Sequence, residues 1–322
     1  MRLSARALTQ EPYKGWPAYV MRQGDLVLSL VPGVGGRLMG IDFLGQELCF
    51  VHPELEGRSF DGDESGWEDL CGDWDFPLWG GGKTWLAPES AWPGGAPHRD
   101  LDSLAWQVKE AWCTAETMGL DLESPVCSVS GLQLRRRLTL AAHASRWTLE
   151  HSVSNRSAAA ISCGLWDVLM LRRPGVVSVD LNAGAADTYA SIISMPGKEP
   201  LHSLMRDGVI ETSGAQAHIH CATGREFKCG FGRSAGPVQV DFEHWGLRYT
   251  RDSAIDLDQP YAHGHPTEVF NAPRLDYFEV ETHSPLRHLG PGESLSYTLH
   301  ERVDALSGAA HPPSPLASKE TT

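Results

Sequence analysis

The chain has 322 residues, of which 41% are hydrophobic and 21% charged, so it carries enough apolar material for a large folded core. Its formal net charge of -14 repels phosphate backbones and anionic lipid headgroups, which argues against nucleic-acid and membrane-surface partners. No apolar stretch reaches membrane-spanning length, and the basic N-terminus is not followed by the apolar run of a secretory leader. We therefore expect a cytoplasmic protein that binds a small molecule; its oligomeric state is not predicted.

The seven cysteines are odd in number, widely spaced and without a Cys-x-x-Cys pair. This usage predicts neither a disulfide framework nor a thiolate zinc site. We expect reduced cysteines that are mostly buried as small hydrophobic residues.

Short runs that alternate apolar and polar residues recur between turn residues, as is typical of half-buried strands. The longest helix-like stretch, 103–117, is interrupted by Trp and Cys. Small residues and prolines dominate 304–322, which we expect to be disordered. The pattern predicts an all-β, mostly antiparallel fold of two packed sheets in one domain, residues 1–303. In chain order, the predicted strands cover 25–30, 37–43, 131–141, 146–153, 159–171, 238–250, 276–282 and 294–303.

Residues 79–93 crowd aromatic, glycine and charged residues into one segment, which we interpret as a loop at a ligand site. Tryptophan faces stack on the C–H faces of sugar rings, polar side chains can fix hydroxyls, and glycines let a ligand approach the backbone. A rigid loop that covers one end of a sheet explains the same composition. The candidate ligand-binding residues here are Trp79, Lys83, Trp85, Glu89 and Trp92.

The phosphate loop, the Gly-x-Ser-x-Gly elbow and the His-Glu-x-x-His motif are absent from the sequence. On a strand, His263 and His265 would share a face and could ligate a metal, with Glu268 following. Because a third strong ligand is not identifiable, we expect no metal and interpret the two histidines as residues of an exposed loop.

Arg135 and Arg137 lie in a predicted strand, so alternation places them on one face and Arg136 on the other. Two guanidinium groups on one face could grip a phosphate or a carboxylate. A solvated outer sheet face is the simpler interpretation of the pair.

Glu279 and Glu281 alternate with Phe278 and Val280, so both acids share one strand face with Tyr277. Acids that faced the interior would be costly unless they lined a cleft with partners. The pair therefore marks either a polar cleft or an ordinary solvent-facing strand surface.

Short sequence pieces over nearly the whole chain carry a family resemblance. They are Val31-Pro32-Gly33-Val34-Gly35-Gly36-Arg37-Leu38, the run from Gly81 to Glu89 with Trp92-Pro93, Leu165-Trp166-Asp167-Val168, Phe227-Lys228-Cys229-Gly230, the run from Tyr277 to Thr282, and Leu289-Gly290-Pro291-Gly292-Glu293-Ser294. In this order they resemble the galactose mutarotase-like superfamily, whose members share an antiparallel β-supersandwich and bind sugars. More narrowly, the chain resembles an uncharacterised bacterial family within that superfamily, described only as a domain of unknown function.

In aldose 1-epimerases of this superfamily the general base is a glutamate that precedes a Leu-x-Pro-Gly-Glu turn, so the resemblance nominates Glu281. The epimerase acid is a histidine in an Asn-His-x-Tyr-Phe-Asn segment, and the matching stretch 164–168 holds no histidine. Asp167 would replace it only with a raised pKa, whereas His283 titrates in a suitable range.

The resemblance implies cofactor-independent interconversion of sugar anomers by acid–base ring opening. Lys83 and Lys228 would donate to hydroxyls, and further contacts would come from Arg37, Trp166 and Glu268 beside the residues of 79–93. Two other functions stay open. One is a non-catalytic sugar-binding or sensing protein. The other is a lyase, isomerase or phosphosugar epimerase, which would need Arg37 or Arg137 as a charge binder, or a metal at His263 and His265.

Overall fold

A computed structural model describes residues 6–182, 191–195 and 197–306. The described helices are short: α1 Trp67–Cys71, α2 Arg99–Asp102 and α3 Leu201–Arg206. The strands are β1 Ala7–Tyr13, β2 Trp16–Gln23, β3 Leu26–Val31, β4 Arg37–Phe43, β5 Gln46–Glu47, β6 Gly82–Ala87, β7 Gln107–Cys113, β8 Thr117–Glu123, β9 Leu132–Ala141, β10 Arg146–Asn155, β11 Ile161–Arg172, β12 Gly175–Leu181, β13 Ile192–Ser194, β14 Ile210–Ser213, β15 Gln216–Cys221, β16 Phe227–Phe231, β17 Ser234–Phe242, β18 Leu247–Ser253, β19 Thr267–Asn271, β20 Tyr277–His283, β21 Arg287–Leu289 and β22 Ser294–Ala305.

The strands form two large antiparallel sheets, which confirms the predicted all-β sandwich. The first sheet has 12 strands, ordered β1-β2-β3-β4-β6-β11-β20-β19-β16-β13, with β5 on β4 and β21 on β11. The second has 10 strands, ordered β14-β15-β12-β17-β18-β22-β10-β9-β8-β7. Strands that are distant in sequence therefore become neighbours, and β6, β11, β20, β19 and β16 lie side by side.

Apolar side chains from both sheets fill the space between them. Leu169 and Val280 of the first sheet belong to the same buried cluster as Leu138 and Leu299 of the second. Burying each such side chain contributes about 1.5–3 kcal/mol. In β9 buried residues alternate with more exposed ones, whereas β6 and β20 are buried at every position. Side chains from connecting segments, such as Trp92 and His263, cover the other face of the central strands.

Two segments that the sequence did not mark as strands are strands in the described structure. Residues Gly82–Ala87, which were interpreted as part of a loop, form the central strand β6. This strand pairs with both β4 and β11. Residues 107–113, in the helix-like stretch, form the strand β7 after the short helix α2. In addition, β22 continues to Ala305, two residues past the predicted domain end, and the predicted disorder of 307–322 falls outside the described residues.

All seven cysteines are free, and six of them are buried, as the sequence predicted; Cys113 is exposed. Arg135 and Arg137 share the outer face of the second sheet and both bind the Asp121 carboxylate, at 2.5 and 3.0 Å. This confirms the interpretation as an outer sheet face. Within the described part of the chain, no helix combines the length and apolarity that a membrane crossing requires.

Candidate functional site

The candidate site lies on the face of the first sheet that points away from the second sheet, which we call the site face. Phe278 and Val280 of β20 enter the core between the sheets. Alternation then places Glu279 and Glu281 on the site face, as the sequence predicted. The same face receives Lys228 from β16, because its ammonium contacts Glu281.

Two carboxylates lie opposite each other on this face. Glu268 of β19 is the cross-strand partner of Glu281 of β20. The Lys228 Nζ lies 2.7 Å from Glu268 Oε2 and 3.0 Å from Glu281 Oε2. The indole Nε1 of Trp166 donates to Glu281 Oε2 at 2.8 Å. Four residues nominated from the sequence therefore meet in one cluster, although they lie on four different strands and up to 115 positions apart.

Three histidines surround the other oxygen of Glu268, and we call them the histidine cluster. His263 Nδ1 lies 2.8 Å from Glu268 Oε1, and His265 Nε2 lies 2.6 Å from it. His283 Nε2 approaches the same oxygen to 3.4 Å. His263 and His265 therefore belong to the site and are not simply residues of an exposed loop. His283 of β20 completes the histidine cluster, which the local spacing of the sequence did not reveal.

The two carboxylates experience opposite environments. Burial raises the pKa of Glu281 well above its ordinary range, and the charges of Glu268 and Glu279 add to this effect against the Lys228 cation. Burial acts in the same direction on Glu268, but hydrogen bonds from His263 and His265 outweigh it and hold its pKa well below the usual range. Neighbouring carboxylates separated in this way are suited to different tasks.

The tryptophans do not form an open stacking platform. Trp85 packs edge-on against Trp92 and Trp166, each with ring centroids 5.1 Å apart, and Trp92 stacks on Trp166 at 5.5 Å. None of the three is more than 8% exposed. Trp79 lies in a separate buried cluster with Trp16 and does not reach the site. Tryptophans 85, 92 and 166 therefore form a buried aromatic cluster that packs beside the site.

Asp167 lies on the opposite side of β11, which corrects its nomination as the general acid. Its carboxylate is in the core between the sheets, 2.8 Å from Arg251 Nη1 and 3.1 Å from His151 Nε2. Burial tends to raise its pKa, but Arg251 and His151 prevail and lower it to about 2. Asp167 is therefore a permanently ionised core residue and holds no proton to donate at neutral pH.

His283 lies on the site face, two residues after Glu281 in β20, yet it is a poor proton donor. Burial lowers the pKa of His283 to about 4, against the opposing effect of the Glu268 carboxylate. The imidazole is consequently neutral at physiological pH, and its ring stacks on Trp166 at 5.3 Å. The sequence-based assignment of His283 as the acid is not supported by this environment.

Arg37 and Lys83 are occupied by buried acids beside the site. Arg37 Nη2 donates to Asp102 Oδ1 at 2.6 Å, and Trp85 Nε1 donates to the same oxygen at 2.7 Å. Lys83 Nζ pairs with Glu279 Oε1 at 3.1 Å and lies 4.1 Å from the Trp85 ring centroid. Arg37 is thus enclosed instead of exposed to a phosphate. Asp102 carried no sequence signal, because its partner Arg37 is far away in the chain.

The part of the cluster that solvent reaches consists of Lys228, Glu279 and His263, whose side chains are 15%, 11% and 9% exposed. Glu89 is exposed beside them in a 3-10 turn, and its amide N–H points to His263 Nε2 at 3.4 Å. Half-buried Phe270 is the cross-strand partner of Glu279. A ligand would therefore meet one cation, one carboxylate and one imidazole at an aromatic margin.

Comparison with known proteins identifies the fold that carries this site. No protein-family model matches the chain, and no curated protein matches it significantly. A solved Escherichia coli structure described as a candidate aldose 1-epimerase superposes with a TM-score of 0.55 at 16% identity, over 90% of this chain and 99% of that one. The fold is galactose mutarotase-like.

Two further structures have the same fold. A galactose mutarotase-like protein from Lactobacillus casei gives a TM-score of 0.55 at 8% identity, over 89% of this chain and all of its own. Another from Clostridium acetobutylicum gives 0.56 at 10%, over 94% of this chain and 99% of its own. The superfamily resemblance is thereby confirmed at the level of the mutarotase-like fold. The narrower resemblance, to one uncharacterised bacterial family, stays a prediction.

Proposed function

We propose that this protein interconverts the anomers of a sugar by acid–base ring opening, with Glu281 as the base. The observation that carries the proposal is the bridge Glu281–Lys228–Glu268 on the site face of a mutarotase-like sandwich. Acid–base catalysis needs proton-transfer groups held in place around the ring, and this cluster is held by three strands.

The reaction consists of balanced proton transfers. Glu281 takes the proton of the anomeric hydroxyl, the anomeric carbon–oxygen double bond forms, and the bond from that carbon to the ring oxygen breaks. The ring oxygen receives a proton from an acid. Rotation of the aldehyde and the reverse steps give the other anomer and restore both groups.

Glu281 is prepared for this role by what its two oxygens contact. Its Oε2 accepts from both Trp166 and Lys228. Its Oε1 is buried and has no hydrogen-bond partner among the described residues. One oxygen thus anchors the side chain, while the other keeps its lone pairs for a substrate proton; the raised pKa makes the ionised form a strong proton acceptor. Lys228 is also placed to donate to a sugar hydroxyl, since part of its side chain is exposed.

His263 is the group placed to protonate the ring oxygen. It is the partly exposed member of the histidine cluster, and its ring lies edge-on to Trp166 with centroids 4.8 Å apart. Its Nδ1 bonds Glu268, so a ligand would meet Nε2 in place of the Glu89 amide N–H, which lies 3.4 Å from that nitrogen. Glu268 stays ionised and would stabilise the imidazolium form that donates the proton.

A second candidate function is a sugar-binding protein without turnover. It is favoured by the enclosure of Glu281, which is wholly buried beneath Lys228. A receptor would keep Lys228 and Glu279 for hydroxyl recognition and would not need the unpaired Glu281 oxygen.

In either case we place the protein in the cytoplasm, because its seven cysteines are all free.

Proton exchange spectroscopy by NMR tests the proposal on free hexoses, pentoses and hexose phosphates. Wild type is compared with Glu281→Gln and with Glu150→Gln, a matched change at an exposed position of β10 in the second sheet. We expect faster exchange between anomers in wild type and Glu150→Gln, and loss of the effect in Glu281→Gln. Saturation transfer without any acceleration would overturn the epimerase and favour the receptor. Neither binding nor acceleration would overturn both.

A further inference from the structure

Three imidazole nitrogens converge on a single carboxylate oxygen, Glu268 Oε1. The nearest, His265 Nε2 and His263 Nδ1, lie 2.6 and 2.8 Å away, and His283 Nε2 lies 3.4 Å away. Two or three histidines with one carboxylate are also a common ligand set for a transition-metal cation. Simple hydrogen bonding needs only one or two of them.

His283 provides an independent observation. Its side chain is 1% exposed, and its Nδ1 has no hydrogen-bond partner among the described residues. Its Nε2 makes a long contact, 3.4 Å, with Glu268 Oε1. A buried imidazole with one unpartnered nitrogen and only a long contact at the other is costly, and each such group in a folded protein calls for an explanation. A cation between the imidazole and the carboxylate would satisfy both groups.

We propose that His263, Glu268 and His283 bind a divalent transition-metal ion, with His265 as a fourth donor. The ligand atoms of the first three lie within 4.8 Å of one another. Imidazole nitrogens combined with one carboxylate oxygen suit Zn²⁺, Mn²⁺ or Fe²⁺ and do not suit Ca²⁺ or Mg²⁺, which prefer oxygen ligands. The expectation from the sequence, no metal, rested on a missing third ligand, which Glu268 and His283 supply.

The surroundings fit this site. Lys228 occupies Glu268 Oε2, so Oε1 alone faces the histidine cluster and can act as a monodentate ligand. Such outer contacts orient metal-binding carboxylates. Gly230, the cross-strand partner of Glu268, leaves space for the His265 ring, since a Cβ there would lie 2.4 Å from it.

This inference deepens the proposed function. The catalytic role of the cation rests on the proposed function, whereas cation binding does not. A cation on Glu268 would lie beside Glu281, where ring opening requires an electrophile for the ring oxygen. His263 would then be a ligand, and the cation would provide the electrophile in its place.

The test uses the full chain after dialysis against a chelator. Zn²⁺ and Mn²⁺ binding is measured by titration calorimetry and by metal analysis, and Co²⁺ is added for its visible absorption bands. Wild type is compared with Glu268→Gln, His263→Ala and a matched control, His300→Ala, on an exposed position of β22. We expect one ion per chain in wild type and control, and at least about tenfold weaker binding in both site variants.

The outcomes separate this inference from the proposed function. If Glu268→Gln does not fold, as judged by circular dichroism, the partly exposed His263→Ala variant carries the test. Wild type that binds no ion, or site variants that bind as tightly as His300→Ala, would overturn the metal site. Binding without mutarotation on any sugar would keep the site and overturn the epimerase. Full mutarotation by the chelated protein would remove the catalytic role of the ion and keep the epimerase.

Discussion

Glu268 and Glu281 face each other directly across β19 and β20, and the single ammonium of Lys228 contacts both. Like charges at directly opposite positions of a sheet destabilise it unless a partner compensates them. Lys228 provides that compensation, and the carboxylates raise its pKa above the usual range against the effect of burial. The histidine cluster contacts only Glu268 of the two, and its hydrogen bonds lower the pKa of Glu268 while that of Glu281 is raised.

Lys228→Met should destabilise the protein by about 3–5 kcal/mol, since it leaves two buried carboxylates without their cation. Chemical unfolding at neutral pH measures the change. Lys198→Met is the control, because Lys198 pairs with Glu226 at the surface and such pairs contribute about 0–1 kcal/mol. Equal losses in the two variants would contradict the central role of Lys228.

Asp167 should stabilise the fold above about pH 4 and lose this contribution at lower pH. Its pKa is depressed from 3.8 to about 2 in the folded state, so the stabilisation is present above the unfolded pKa and disappears as pH falls from about 4 to 2. The linked free energy is about 2 kcal/mol. Urea unfolding of wild type and Asp167→Asn over this pH range should give curves that converge on acidification. The control Asp276→Asn, at an exposed carboxylate, should not reproduce this convergence.

Trp166→Phe should lower anomer exchange about tenfold and destabilise the fold by about 1.5–3 kcal/mol. The variant keeps an aromatic ring in the tryptophan cluster but removes the indole N–H that donates to Glu281 Oε2. Hydrogen bonds to charged groups contribute about 1.5–3 kcal/mol. Without this bond the Glu281 carboxylate is held less firmly in its orientation, so we expect slower exchange. Trp112→Phe, which removes an indole contact to Thr117 on the second sheet, is the control. Exchange rates that match in the two variants would argue against this anchoring role.

Gly230→Ala should displace the His265 ring and weaken metal binding. Its Cβ would lie within 2.4–2.6 Å of three ring atoms, and overpacking of this kind costs about 1–3 kcal/mol. Thermal unfolding and Zn²⁺ titration measure the two effects. Gly232→Ala, whose Cβ would have its nearest described neighbour 4.0 Å away, should change neither. Unchanged Zn²⁺ affinity in Gly230→Ala would show that His265 is not a ligand.

Regular alternation made several elements predictable. The hairpin β3–β4, the pair β9–β10 and the strand β20 lie where the period of two indicated. The strand β6 was missed because all six of its residues are buried, so no polar face marks it as a strand. Lys83 and Trp85 of this strand, with Trp79 and Trp92 on either side of it in sequence, indicated a ligand loop, although neighbouring chain segments bury them.

The amino-acid sequence by itself determined which residues share a face within one strand, as for Glu279 and Glu281, because side chains alternate along extended backbone. Only the tertiary structure decided which faces meet. In the β11–β20 register Asp167 pairs with Thr282 and Val168 with Glu281, so Asp167 faces the core and Glu281 faces the site. Likewise, the order β11-β20-β19-β16 brings Lys228, Glu268 and His283 together. Cross-strand neighbours depend on sheet order and register, which long-range packing selects and local sequence spacing does not encode.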